Sequence, residues 1–150
     1  MPVKPIPEGY HTVTPYIVSR DAAATIDFAK RAFGAREHHV MRMPDGKVMH
    51  ADIVIGNSHV MIGQAGGPNQ AFPAMLYLYV PDVDATFQQA VSAGGTSLHA
   101  VSTQFYGDRH GAIGDVDGNQ WWIATHVEDV SEEELGRRAE EAMRQRSAAT

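Results

Sequence analysis

The sequence predicts an α+β domain of two βαβββ modules, paired so as to form a cupped mixed sheet and followed by a C-terminal helix. Three observations predict it. Strand-type and helix-type hydrophobic periodicities alternate in the same order twice along the chain. A Gly/Pro/Asn-rich stretch over residues 63–73 separates the two copies. A shift of 61 positions superposes the copies: Tyr16/Tyr77, Asp21/Asp82, Ala24/Ala85, Thr25/Thr86, Ala29/Ala90, Ala32/Ala93 and Gly34/Gly95 are identical. That is seven matches over the 22 positions from Thr14 to Ala35, where unrelated segments give about one or two at typical residue frequencies. Self-similarity of this kind marks duplication.

The first strand is expected over Thr12–Ser19, rich in β-branched and aromatic residues. A helix follows over Asp21–Phe33. Asp21 is its N-cap, Ala22, Ile26, Ala29 and Phe33 share its apolar face, and Gly34 ends it. Strands are expected over Ala35–Met43, Val48–Ile55 and His59–Gly63, the first two joined at Asp45-Gly46, a hairpin pair that tolerates positive φ. After the linker, Met75–Val80 repeats the first strand. Asp82–Gly94 repeats the helix, with Val83, Phe87 and Ala90 on its apolar face. A second Asp-Gly pair, Asp117-Gly118, stands 72 positions after the first. Matching the two pairs places a longer loop over Ser102–Gly111 and a last strand over Trp121–Thr125. Module one thus spans about residues 12–63, the linker 64–73, module two 74–127 and the terminal helix 131–146. Ser131 and Glu134 have capping-box spacing, and Leu135, Ala139, Ala142 and Met143 form a narrow apolar stripe, suited to packing on the domain or on a partner subunit.

Composition narrows the function. The 150 residues are 43% apolar with net charge −6, enough for a core and lacking the basic patch that nucleic acid or an anionic membrane calls for. There is no cysteine, so disulfides, thiolate catalysis and Cys-based metal sites are excluded. Residues 1–9 carry three prolines and no apolar segment of signal-peptide type. The expected location is the cytoplasm.

A βαβββ module covers one sheet face with its helix and leaves the other bare. Alternation along each strand assigns the faces. Leu76, Leu78 and Val80 belong to the helix side. Met75, Tyr77 and Tyr79, with Thr14 and Tyr16 in the equivalent places, belong to the cup, as do His50 with Asp52 and Trp122 with Ala124. Aromatic walls with few polar groups are typical of ligand pockets. Arg109, in the expected loop with Phe105, Tyr106, Asp108 and His110, is a candidate partner for a ligand carboxylate or phosphonate, or else for a nearby aspartate. His38 and His39 are adjacent and take opposite faces; His59, His99 and His126 stand isolated in the sequence.

The runs Pro15-Tyr16-Ile17-Val18, Ala24–Ala35, Asp45–Asp52, Tyr106–Arg109, Asp115–Gly118 and Trp122–Val130 resemble PhnB-like proteins of the vicinal oxygen chelate (glyoxalase/bleomycin-resistance/dioxygenase) superfamily. The resemblance implies the same paired-module fold. In metal-dependent members it also implies two ligands per module, usually His and Glu, around a divalent ion. The positions that match are Thr14 and Met75, and His50 and Trp122. Of these only His50 is a good ligand for such an ion. No metal and no other cofactor is therefore expected.

Three functions compete. The first is a metal-free binding protein that holds a small ligand, with an aromatic compound as one candidate, on Thr14, Tyr16, Met75, Tyr77, Tyr79, Arg109 and Trp122, in a homodimer. The second is an isomerase or lyase that uses His50 and Asp52, or a weakly held divalent ion. The third is a structural dimer without ligand.

Overall fold

The computed structural model describes residues 2–149. Strand β1 (Tyr16–Ser19), helix α1 (Ala22–Phe33) and strands β2 (Arg36–Arg42), β3 (Val48–Ile55) and β4 (Ser58–Gln64) form the first module. The second repeats the order with β5 (Met75–Tyr79), α2 (Val83–Ser92), β6 (Thr96–Thr103), β7 (Asp108–Gly114) and β8 (Gln120–His126); α3 (Glu132–Ala149) ends the chain. Both helices start and stop as their sequences direct. The Asp21 and Asp82 side chains accept from the backbone N–H of Ala24 and Ala85, each at 3.1 Å. Gly34, at φ 66°, supplies the left-handed residue that closes α1.

Each module forms its own four-stranded sheet, in the orders β1-β4-β3-β2 and β5-β8-β7-β6. The first and last strands of a module run parallel, as a helical crossover requires, and the other pairs are antiparallel. The expected α+β class with paired modules and a terminal helix is therefore the observed one. Within one chain the cup consists of two separate sheets, which meet through their helix sides. Helices α1 and α2 pack together. Trp121 of β8, fully buried, sets its ring against Phe33 and Phe28 of α1 at centroid distances of 5.0 and 6.3 Å. Its indole N–H is satisfied by Asp115 at 2.9 Å. Polar links join the modules at the margin of this shared core. Asp117 accepts from Ser19 Oγ at 2.5 Å and Arg20 Nε at 2.8 Å, and Gln89 donates to the Arg31 carbonyl at 2.8 Å.

The repeat is tighter than the Asp-Gly match suggests. Asp45-Gly46 lies between β2 and β3, but Asp117-Gly118 lies between β7 and β8. They are turns of different hairpins, so the shift of 72 pairs unlike positions. The ladders give the true correspondence. Tyr16 lies beside Met61 as Tyr77 lies beside Trp122, and His50 lies beside Gly63 as His110 lies beside Ala124. The partner of His50 across the repeat is His110, and that of Trp122 is Met61. The residues expected as a long loop, Ser102–Gly111, form the end of β6, a short turn and the start of β7. The first strand is also shorter than expected. Pro15 has no N–H to give the ladder and joins it only through its carbonyl, which accepts from Met61 N–H at 2.9 Å, so the strand begins at Tyr16 and Thr14 stands before it.

The faces away from the helices are bare. On β5, Met75, Tyr77 and Tyr79 are exposed, and even Leu76 and Leu78 on the helix side are only half-buried. Among the described residues β1 and β5 each have one strand neighbour and one free edge. Helix α3 has no fully buried residue. Ser131 caps it, and Arg138 ties it down through Glu128, Glu134 and the Phe105 carbonyl. No helix among the described residues is long and apolar enough to cross a membrane.

Candidate functional site

The bare face of the second module gathers an aromatic and hydroxyl cluster around one carboxylate. Asp108 opens β7 and is 5% exposed. Its Oδ2 accepts from the hydroxyls of Tyr79 at 2.8 Å and Tyr77 at 3.0 Å. Its Oδ1 lies 3.0 Å from His126 Nδ1, and the other nitrogen of that ring lies 2.7 Å from Asp129. His110, two residues further along β7 and so on the same face, places Nδ1 3.0 Å from the Tyr77 hydroxyl and 3.2 Å from that of Tyr106. Trp122 closes the group from β8, its ring 5.0 Å from both His110 and His99. Four elements thus contribute: β5 the phenols, β7 the carboxylate and imidazole, β8 Trp122 and His126, and the β6–β7 turn Tyr106.

The turn is held firmly. Gly107, at φ 99°, has its carbonyl bonded by the backbone N–H groups of Val127 and Glu128 at 2.8 and 3.1 Å. A Cβ at this position would lie 2.2 Å from the Glu128 carbonyl oxygen. Glycine lets the chain after β8 fold directly over the turn and fixes the approach of Tyr106 and Asp108.

The electrostatics follow from the hydrogen bonds. Burial pushes the Asp108 carboxyl up, but hydrogen bonds from His126, Tyr79 and Tyr77 outweigh it and leave the pKa below the usual carboxylate value. Burial, followed by the bond to Asp108, raises Tyr77; for Tyr79 the bond to Asp108 leads. Burial lowers His110, against the pull of the Asp108 charge. His126 is raised, first by its bond to Asp108 and then by that to Asp129. The cluster therefore holds an ionised carboxylate, protonated phenols and a His110 biased toward its neutral form.

The residues singled out from sequence fall into three groups. Tyr77, Tyr79 and Trp122 join the cluster, with Met75 exposed at the start of β5. Tyr16 and His50 lie together on the bare face of the first module, ring centroids 5.6 Å apart. Tyr16 covers Gly63, where an added Cβ would meet the phenol oxygen at 2.4 Å. Thr14 is half-buried ahead of β1. The other residues are engaged elsewhere, Arg109 on the helix side and Asp52 on the His50 face but beneath the N-terminal segment. Arg109 alternates to the helix side and makes a bidentate pair with Asp84 of α2, at 2.9 and 2.8 Å, so it does not reach the face that carries Tyr77. Asp52 is buried and bonded by Tyr10 and by His59, the latter at 2.9 Å. Tyr10 stacks on His59 at 3.9 Å and His38 meets that ring edge-on at 5.0 Å. Asp52 thus serves a second network that pins the N-terminal segment to β3 and β4.

Sequence reasoning missed Asp108, Tyr106 and His126 as one unit. The run Tyr106-Gly107-Asp108-Arg109-His110 carried the signal, but reading it as a loop hid the alternation that puts Asp108 and His110 on one face. A cleft of about 600 Å³ lies between the modules on the other side of β5, lined by Phe33, Val60, Leu76, Leu78, Val80 and Trp121. Its floor is apolar, but Asn57, Ser58, Thr86 and Gln89 also line it, and Tyr77 and Tyr79 of the cluster border it.

Comparison with known proteins now fixes the class. A TM-score of 0.67 relates the fold to TioX from Micromonospora sp. ML1, at 24% identity, covering 78% of this chain and 99% of that one. A glyoxalase/bleomycin resistance protein/dioxygenase family enzyme from Burkholderia phytofirmans PsJN matches with a TM-score of 0.60 at 20% identity, over 75% and 95% of the two chains. These neighbours define a protein of paired βαβββ architecture. The family model for the Glyoxalase/Bleomycin resistance protein/Dioxygenase superfamily matches residues 10–123, and the chain belongs to that superfamily. Uncharacterized proteins of Mycobacterium bovis and Mycobacterium tuberculosis are each 36% identical over 134 residues. The match covers 82% of this chain and 88% and 79% of theirs.

Superfamily members of the metal-dependent kind would carry a divalent ion in the cup. The donor set here does not fit one. Thr14 stands off the strand, Met75 and Met61, the repeat counterpart of Trp122, offer soft thioethers, Trp122 has no lone pair for a metal, and His50 and His110 belong to separate sheets. No three His, Cys, Asp or Glu side chains converge in a metal-holding group among the described residues.

Proposed function

We propose that this chain is a metal-free small-molecule-binding protein of the PhnB-like kind, which holds a planar ligand on the bare face of its second module within a homodimer. One observation carries the reading: Tyr77, Tyr79, His110 and Trp122 are fixed in place by hydrogen bonds and ring contacts, yet Tyr77 and Tyr79 are left exposed. Exposed aromatics on a fold surface are ordinarily mobile. Here the order is in place before any ligand arrives, which lowers the entropic cost of binding. The free edges of β1 and β5, and the poor cover of β5 on both sides, support a second copy as the other wall of the cup. Stacking on Trp122 and Tyr79 suits a flat aromatic compound.

Titration with a panel of aromatic metabolites and antibiotics, followed by tryptophan fluorescence, tests the proposal. We expect saturable quenching that is lost in Trp122→Phe. No response across a broad panel would sink the reading.

An enzymatic reading with His50 and Asp52 as an acid–base pair has less support, because the Asp52 oxygens serve Tyr10 and His59. Any proton transfer on this chain is better placed at His110.

A further inference from the structure

We propose that the second-module face selects ligands that are neutral or cationic and bear N–H or O–H donors, and that it rejects carboxylates and phosphonates. This rests on the binding reading above and specifies the ligand class.

A phenol has one hydrogen to give. Tyr77 and Tyr79 each direct theirs to Asp108 Oδ2, and His126 gives its Nδ1 hydrogen to Oδ1. The Tyr77 oxygen therefore meets His110 as an acceptor, and at 3.0 Å the Nδ1 of His110 must carry the hydrogen between them. A neutral imidazole protonated at Nδ1 has a bare lone pair at Nε2. Tyr106 Oη, 3.2 Å from the same Nδ1, also meets it as an acceptor, which leaves the Tyr106 hydroxyl proton as the donor not committed within the group. What the cluster offers a ligand is thus mainly lone pairs, on the phenol oxygens of the exposed Tyr77 and Tyr79 side chains and on Nε2 of His110, against the single hydroxyl proton of Tyr106.

Among the described residues of the second module and α3, the arginines nearest the face are already paired with carboxylates. Arg109 is the only Arg or Lys between residues 74 and 130, and Asp84 holds it on the helix side. Arg138, which reaches the Phe105 carbonyl, is bound at 2.8 and 2.9 Å to Glu128 and Glu134. His126 has a carboxylate on each nitrogen. An anionic ligand would set its own lone pairs against those of the face, a mismatch that gives specificity by repulsion.

The chain has two tryptophans, adjacent and on opposite sides of β8. Trp122 reports on the face, and buried Trp121 is an internal reference. Indole N–H signals of ¹⁵N-tryptophan-labelled protein would be followed during titration with three probes of one shape: 2-naphthol, naphthalene-2-carboxamidine and 2-naphthoate. We expect the naphthol and the amidine to move the Trp122 signal with Kd values about tenfold or more below that of the naphthoate. In Asp108→Asn the new amide donates to a phenol oxygen and turns that phenol's proton outward, so the preference should shrink or invert. Tyr77→Phe removes an acceptor while leaving the Asp108 carboxylate bonded by Tyr79 and His126, and should weaken naphthol binding about threefold or more. Naphthoate binding as tight as naphthol would overturn the proposal and leave the binding reading intact. So would selectivity unchanged in both variants. If no probe moves Trp122, the binding reading falls and this proposal with it.

Discussion

Asp108 is the residue on which the face depends. Three donors converge on its side chain, and removing it takes the partner of Tyr79 and one of the two partners of Tyr77 and of His126. Unsatisfied donors cost about 1–3 kcal/mol, so we expect Asp108→Ala to lower the unfolding free energy by about 2 kcal/mol in urea titrations, with Tyr77→Phe costing less than half as much. His126 adds a pH dependence. Its folded pKa is raised above 6.5, first by the bond to Asp108 and then by that to Asp129. Its stabilisation is therefore fully present below pH 6.5 and is lost as pH rises through the raised value. The melting-temperature gap between the native protein and His126→Gln should be widest in mild acid and close in alkali. A gap independent of pH would mean that the ring acts by packing alone.

At the scale of elements, the β6–β7 turn decides whether Tyr106 and Asp108 arrive in place. Gly107→Ala must accept both a positive φ and a Cβ pressed on the Glu128 carbonyl. We expect destabilisation of about 2 kcal/mol or more and loss of the Trp122 fluorescence response even where the variant stays folded. Gly34→Ala is a useful contrast, since its φ is positive but nothing lies within 4 Å of the added Cβ; it should cost about 1 kcal/mol. The helices were legible because cap, apolar face and terminating glycine are all local signals, and Asp21 and Asp82 cap as read. Strand faces were legible by alternation, which is why Tyr77, Tyr79 and Trp122 fell on the right side. Hairpin equivalence was not. The two Asp-Gly turns look alike locally, and only the ladder shows that one precedes β3 and the other β8. That error moved the partner of His50 from His110 to Trp122 and hid the Asp108 cluster, whose members come from separate strands with no common spacing.

For the molecule as a whole, the proposed reading makes a second copy the other wall of the second-module face. Sedimentation at micromolar concentration should give a dimer, and the burial of β5 should show as slow amide exchange at Tyr77 and Tyr79. A monomer with fast exchange there would leave the face open and the ligand half-solvated. The negative balance of the second module also predicts that binding of a cationic probe weakens as salt rises, whereas binding of the neutral naphthol does not.

The seam between the modules has a further consequence. Each sheet completes its backbone ladder from its own half of the sequence, but the apolar interior belongs to both halves, with Trp121 of one lodged against Phe28 and Phe33 of the other. A protease cut in residues 65–73 would sever the chain without breaking a strand of either sheet. The fragments would stay together because neither can hide its half of the interior alone. Expressed apart, they should find each other again, and either one left by itself should seek its own likeness. The same compulsion would have made a single ancestral module a self-pairing peptide before duplication tied two of them into one chain.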